Sequence, residues 1–408
     1  MSKPPLLAPP VHSPPSFALV CGAGFVALAI AMGIGRFAFT PLLPLMVRAG
    51  SVDVAMGGAL AAANYAGYWV GALSSARLPL GPQRLTVMAL LAIAASTAAM
   101  GATGSVTLWL LLRFVAGVAS AWVLVSTSVW CLGWIAALAR PAGAGLLYAG
   151  VGAGIALAGL HCLLAAAAGV RSPALWLQLG GLALLLALPV LWVIARLGPT
   201  LEAAPADRTG DARRAGGAST RGLVACYGCM GFGYILPATF LPVLARSVVD
   251  DPRLFGLAWP VFGATAALST LLAARLLQGP TRMRTWAGCQ LLMGVGVLLP
   301  ALSTNAWTIA ASALLVGGTF MIITLAGVQE MRARAATADE AAALVARITA
   351  AFAIGQIAGP VVSALLLRLG PMGMSLALAT GAFALFATSA WLWRSSSPPP
   401  LRKELTHG

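Results

Sequence analysis

Twelve long apolar runs follow one another along this sequence, and almost nothing charged interrupts them. They lie near 17–47, 54–76, 85–103, 106–131, 142–168 and 173–195, then 222–245, 254–274, 285–303, 306–329, 342–367 and 372–393. The hydrocarbon core of a bilayer takes roughly 20 apolar residues per helical crossing. Within it, only helices and closed barrels satisfy their own backbone hydrogen bonds. The pattern predicts an all-α membrane protein of about twelve transmembrane helices. Composition agrees, with 60% hydrophobic residues, 9% charged residues and a mean hydropathy of +0.92. A soluble chain carries about 25% charged residues.

The net charge of +15 does not point to nucleic acid, because that footprint is a basic cluster on one domain or helix. Here Arg and Lys are scattered over the short connections between runs, and no nucleic-acid partner is expected. All six cysteines (Cys21, Cys131, Cys162, Cys226, Cys229 and Cys289) fall in or beside the apolar runs. Cys226 and Cys229 form a CxxC with no second pair and no nearby histidine, so buried reduced thiols are expected rather than zinc or redox chemistry. The proline-rich opening, MSKPPLLAPPVHSPPS, resembles the start of a signal peptide. The apolar run behind it is too long for a signal sequence and is read as a retained first helix.

Cytoplasmic loops accumulate Arg and Lys. With the N-terminus inside, only Arg48, Arg171, Arg246, Arg253 and Arg368 fall on the outer side, Arg36 and Arg113 lie within runs, and the rest of the 25 fall inside. Both termini are therefore expected to be cytoplasmic. The segment LGPTLEAAPADRTGDARRAGGAST reads as a flexible linker. The resulting division is a disordered cytoplasmic N-terminus (1–16), an N-terminal six-helix lobe (17–196), a linker (197–220), a C-terminal six-helix lobe (221–394) and a cytoplasmic tail (395–408).

The two halves repeat. GIGRFAFTPLLPLMVR (33–48) aligns with GFGYILPATFLPVLAR (231–246), and ARLPLGPQR (76–84) aligns with ARLLQGPTR (274–282), both pairs being offset by the same distance. Six crossings separate the copies, an even number, so the repeats are parallel. This is the plan of two-lobed carriers with a substrate site near the midplane.

The residues at these places resemble the major facilitator superfamily over essentially the whole chain. GALSSARLPLGPQRL (71–85) is similar to the loop signature between its second and third helices, with Ser75 near the place of the usual acid. The gating residues this implies are Gly71, Arg77, Gly81 and Arg84, and in the repeat Arg275, Gly279 and Arg282. LLRFVAGVASA (111–121) and YAGVGAGIALAG (148–159) resemble the fourth- and fifth-helix signatures, the latter without its Gly-Pro pair. GRFAFTPLLPLM, ANYAGYWVGAL and GGTFMIITLAG resemble the bacterial YbfB/YjiJ-type branch. That resemblance implies a carrier in the bacterial inner (plasma) membrane; a single chain that supplies both lobes is expected to work as a monomer.

Within this frame, two charges stand out. An arginine at the bilayer centre costs about 2.5–3.5 kcal/mol on translocon scales. Arg36 lies twelve residues before Arg48, hence roughly 18 Å from the outer boundary at 1.5 Å per residue, too deep to snorkel easily. Arg113 is expected to be shallower, and both are expected to face the central cavity. A guanidinium fork suits carboxylate or phosphate. In the resembled family the fourth-helix Arg also braces helices through backbone carbonyls. All ten acids fall in loops, tails or helix ends, so none neutralises Arg36 mid-membrane or relays protons there. Glu330 is expected to pair with Arg332 or Arg334, and His161 to sit at a helix interface.

Asn64 and Tyr68 share a helix face, with Tyr65 adjacent, and Gln356 lies midway along the eleventh helix; these are read as cavity-lining or as interhelical hydrogen-bonding residues. Gly67/Gly71, Gly150/Gly154 and Gly355/Gly359 are spaced four apart, as close helix packing requires. Trp109, Trp130, Trp134, Trp176, Trp391 and Trp393 fall near run ends and are read as interfacial aromatics. No nucleophile elbow, metal cluster, P-loop or dinucleotide fingerprint occurs, so neither enzyme activity nor a cofactor or metal is expected. The leading reading is a secondary transporter of a small, anionic organic solute such as a carboxylate, working by alternating access, with coupling to a proton or ion left open. The alternatives are an efflux carrier for amphipathic compounds and, from another class, a non-transporting membrane sensor or enzyme.

Overall fold

The computed structural model describes residues 16–140, 142–197, 218–246, 252–273, 282–370 and 372–396. The N-terminal segment, most of the linker, the tail, Arg275 and Gly279 lie outside the described residues. Among the described residues the helices fall into twelve long segments at the places of the expected crossings. The first is built from α1 (Phe17–Leu28), a π-helical segment (Ala29–Phe37) and α2 (Phe39–Arg48). The others of the first half are α3 (Val54–Ser75), α4 (Pro82–Ala102), α5 (Val106–Ala137), α6 (Gly143–Ala167) and α7 (Ser172–Arg196). The second half holds α8 (Thr220–Arg246), α9 (Pro252–Ala273), α10 (Arg282–Leu302), α11 (Ala306–Arg334), α12 (Ala338–Leu367) and α13 (Gly373–Ser395).

The helices start and stop where local chemistry directs. Asp53 accepts from Met56 N at 2.7 Å to begin α3, and Thr337 accepts from Glu340 N at 3.1 Å to begin α12. Asn305 opens α11 with a reciprocal box, accepting from Thr308 N at 3.0 Å while Thr308 Oγ1 accepts from Asn305 N at 3.1 Å. Such caps satisfy amides that the helix leaves without partners. Gly50 and Gly370 follow α2 and α12 at φ of 67° and 93°, the left-handed geometry that a side chain resists. α5 and α11 run six and five residues past the apolar runs that predict them, and buried side chains hold these extensions, Leu132, Trp134 and Ile135 in α5 and Glu330 and Met331 in α11.

Ten of the crossings are long and apolar enough to span a membrane by themselves. α3 is not among them, because Asn64, Tyr65, Tyr68 and Trp69 dilute its apolar content. Outward-facing Leu185, Leu272 and Phe383 are more than half exposed, as side chains against lipid are.

In each half the helices pack into a six-helix lobe, and backbones approach through glycine. A β-carbon at Gly67 would strike the Phe114 carbonyl, one at Gly71 the backbone of Val118, and one at Gly117 the Asn64 carbonyl, which seats α3 on α5. Gly150 and Gly154 bring α6 against the carbonyls of Phe25 and Ala29, and Gly355 brings α12 against Gly228 of α8; Gly359 meets the side chain of Ile235. Between the lobes, α6 packs along α9 and α3 along α12. The α6–α9 seam rests on Gly152 and Gly263, each of which meets the other's carbonyl and the next backbone amide.

Four of the tryptophans read as interfacial, Trp109, Trp130, Trp134 and Trp176, are buried against neighbouring helices. Two of them donate inward, Trp109 Nε1 to Met100 O at 3.0 Å and Trp130 Nε1 to Thr86 Oγ1 at 3.1 Å. Because α5 is longer than its apolar run, Trp130 sits within the helix and not at its end. Trp393 is exposed.

Candidate functional site

The site begins with a helix defect. Pro41 has no amide proton, so the carbonyl that would receive it goes without an in-helix donor; in the five-residue register that carbonyl belongs to Arg36. The nine residues Ala29–Phe37 adopt the wider π register, and every one of them is buried. Side chains of α3 and α5 serve the backbone there. Arg113 donates through Nη2 to Arg36 O and through Nη1 to Gly35 O, both at 3.3 Å. Asn64 Nδ2 donates to Arg113 O at 2.9 Å and to Gly35 O at 3.4 Å, and Ser120 Oγ donates to Ala31 O at 2.9 Å. π segments inside α-helices are rare and are frequently found at functional sites.

The π register aims Arg36 between the lobes. Its guanidinium is 4% exposed, lies 3.9 Å over the Tyr68 ring and 5.8 Å from the Tyr65 ring, and donates through Nη2 to Gln356 Oε1 of α12 at 2.5 Å. The Arg36 Nε and Gln356 Nε2 groups find no acceptor among the described residues. No described carboxylate approaches: Asp53 caps α3, Asp339 and Glu340 begin α12, and Glu330 bonds Arg334 Nε at 3.0 Å and Arg282 Nη1 at 3.3 Å. Arg282 also reaches Gln329 O. Arg332, which the sequence offers as an alternative partner for Glu330, instead crosses between lobes to Ser128 O at 3.3 Å.

A cavity of about 20 Å³ opens beside Arg36, lined from the first lobe by Met32, Phe37 and Tyr68 and from the second by Tyr227, Phe320, Thr324 and Phe352, among others. A cavity this size holds about one water, so the lobes are drawn together here around the site. Behind it lies an aromatic cluster. Tyr234 stacks on Phe320 at 4.8 Å and on Phe352 at 5.8 Å, while Phe37 meets Tyr234, Phe320 and Trp259 edge-on at 6.2–6.5 Å.

Of the residues singled out in the sequence, Arg36 and Tyr68 line this cavity, and Gln356 joins them through its hydrogen bond to Arg36 without lining it. Arg113 and Asn64 stand beside it without lining it. Arg113 is as deeply buried as Arg36, at 3% exposure, against the expectation of a shallower place; its guanidinium is turned onto backbone carbonyls. Gly71 belongs to the α3–α5 packing, whereas Arg77, Gly81 and Arg84 are exposed on the α3–α4 connection and the start of α4. Ser75 bonds its own helix through Ala72 O. His161 bonds Gln178 at 3.0 Å, remote from the cavity. Sequence reasoning did not find the π segment, the Gly152–Gly263 seam, the Arg332–Ser128 tie or the aromatic cluster. The last had one signal available, since Tyr234 stands where the internal repeat aligns it with Arg36.

A family model described as that of the uncharacterised MFS-type transporter YbfB matches residues 28–392. Among solved structures, the human organic anion transporter MFSD10 (TETRAN) is similar, with a TM-score of 0.68 at 17% identity over 93% of this chain and 100% of that one. At that identity the likeness bears on the fold alone. A search of curated proteins returns no match.

Proposed function

We propose, from the premise that the chain belongs to the YbfB-type family of MFS transporters, that it moves a small organic anion by alternating access across a bacterial inner membrane. The observation that carries the reading is Arg36: a buried guanidinium between the lobes whose acceptor, Gln356, is neutral. Burying an unpaired charge is costly, and a substrate carboxylate supplies the missing counter-charge with the bidentate geometry that arginine favours. Aromatic walls around Phe37 and Phe320 suit an apolar body behind that carboxylate. The carrier then consists of the lobes 17–196 and 221–394 rocking about the site, joined by the linker 197–220 and working as a monomer with both termini in the cytoplasm. Arg113 and Asn64 hold the π segment, and so Arg36, in register. The Arg-rich connections, Arg77 and Arg84 in one lobe and Arg282 with Glu330 in the other, act at the cytoplasmic gate.

A thermal-shift screen of the purified protein against organic acids, sugars, amino acids and amphipathic cations tests this, since a ligand of the folded state raises its stability in proportion to RT ln(1 + [L]/Kd). Carboxylates are expected to stabilise the wild type and to lose that effect in Arg36→Ala. Stabilisation by amphipathic cations, unchanged in Arg36→Ala, would instead favour an efflux carrier that uses the aromatic cluster.

A further inference from the structure

The inter-lobe surface carries more hydrogen-bond donors than one carboxylate accounts for. Among the buried donors without an acceptor in the described residues are Arg36 Nε, Gln356 Nε2, Tyr234 Oη and Trp259 Nε1, which belong to the side chains gathered around Arg36 and Phe37. A buried donor left unsatisfied costs about 1–3 kcal/mol. Arg36 and Gln356 form one pole of the site, bonded to each other. Tyr234 and Trp259 form a second pole behind the cavity lining: neither lines the cavity itself, but both rings approach the Phe37 ring, at 6.5 Å and 6.2 Å between centroids, and Phe37 lines the cavity next to Arg36. Tyr234 is fully buried, and it is the repeat's counterpart of Arg36, so it faces the lobe interface from the opposite side.

The chemistry of the second pole differs from the first. A phenol and an indole N–H offer donors without charge, and a second carboxylate buried there would stand among aromatic rings with no counter-cation, at a large desolvation cost. A neutral acceptor meets no such cost and satisfies the phenol. We infer that the transported anion is bifunctional: one carboxylate for Arg36 and Gln356, and, a few carbons away, a neutral acceptor such as a ketone or other carbonyl oxygen, which receives a hydrogen bond from Tyr234. This rests on the organic-anion reading and narrows it. A site built to donate to a substrate oxygen rejects the analogue lacking it, because the donor is then left unpaired. Tyr234 is thus a specificity-determining residue and Arg36 the charge-binding one.

Binding of two ligand series to purified full-length protein tests the inference. One series is the straight-chain acids from pentanoate to octanoate. The other is the oxo acids of the same lengths, from 4-oxopentanoate to 7-oxooctanoate. At one or more lengths the oxo acid is expected to bind about tenfold tighter than its plain counterpart. Tyr234→Phe is expected to erase that gain, bringing each oxo acid to the affinity of its plain counterpart in the same variant. Its ligand-free melting temperature is expected to be no lower than wild type, since the hydroxyl removed had no partner. Plain acids that bind through Arg36 with no oxo preference at any length would overturn the bifunctional substrate and leave the organic-anion reading standing; a preference that survives Tyr234→Phe would overturn Tyr234 as the donor that reads the oxo group. Failure of every acid in both series to bind would overturn both readings together.

Discussion

Arg36 and Gln356 are 320 residues apart in the chain, on opposite lobes, and joined by a 2.5 Å hydrogen bond between buried side chains. The acceptor is an amide, so the bond ties the lobes together without cancelling the charge. An anion that engages Arg36 competes with this tie and relieves the charge at once, which links occupancy of the site to separation of the lobes.

Gln356→Glu replaces the amide with a permanent counter-ion in nearly the same shape. The variant is expected to melt higher than wild type and to lose at least about tenfold in carboxylate affinity, because the site is already neutral. Melting curves and carboxylate titrations read both effects. Unimpaired binding in this variant would remove the neutral-acceptor argument.

Arg113→Met leaves the Arg36 carbonyl without its donor and leaves Gly35 O with Asn64 Nδ2 alone, at 3.4 Å. A loss of about 1–3 kcal/mol follows from the one deprived buried acceptor. Arg113→Lys, which retains a donor, is expected to fall between. Both variants are expected to keep the ranking of carboxylates over cations in the thermal-shift screen. If Arg113→Lys reverses that ranking while folding normally, Arg113 binds substrate directly.

Gly152→Val places a branched side chain where α6 meets the backbone of Gly263 and Ala267. The lobes are then unable to close on that seam. Transport in proteoliposomes is expected to drop at least about tenfold with much less effect on folding, since each lobe's own packing is untouched. A neighbouring α9 position changed to cysteine reports the opening through faster thiol labelling.

The residues lining the cavity include no Asp, Glu or His. For a ligand that is fully ionised throughout, affinity is expected to vary less than about twofold between pH 6 and 8, because no lining carboxylate or imidazole changes charge there. A steep dependence in isothermal titration would place a titrating group at the site.

Much of this molecule is written in its linear order. Run lengths alone fix a multi-pass helical bundle, because hydrocarbon leaves a spanning backbone no other way to bond itself. The repeat shared by residues 33–48 and 231–246 indicates two related six-helix lobes. The burial of Arg36 and its separation from every acid can likewise be read from spacing. The glycines at 67, 71, 150, 154 and 355 announce close packing, though not against which backbone.

What the sequence left open depends on partners far along the chain. Whether Arg36 meets an amide or nothing is decided by where α12 lies against the first crossing, and that brings Gln356 to it. Arg113 reads in the sequence either as a second cavity charge or as a helix brace; the π register, with the carbonyls of Gly35 and Arg36 turned to it, is what places its guanidinium on the backbone. The burial of Trp130 and Trp176 follows from neighbours that apolar runs do not specify, since in a chain this uniformly apolar the pattern does not distinguish a face against lipid from one against another helix. Local composition is a property of the run, so the sequence determined the helices and their lobes. Pairing is a property of two surfaces, and only the packed structure decided which side chains share the space between them.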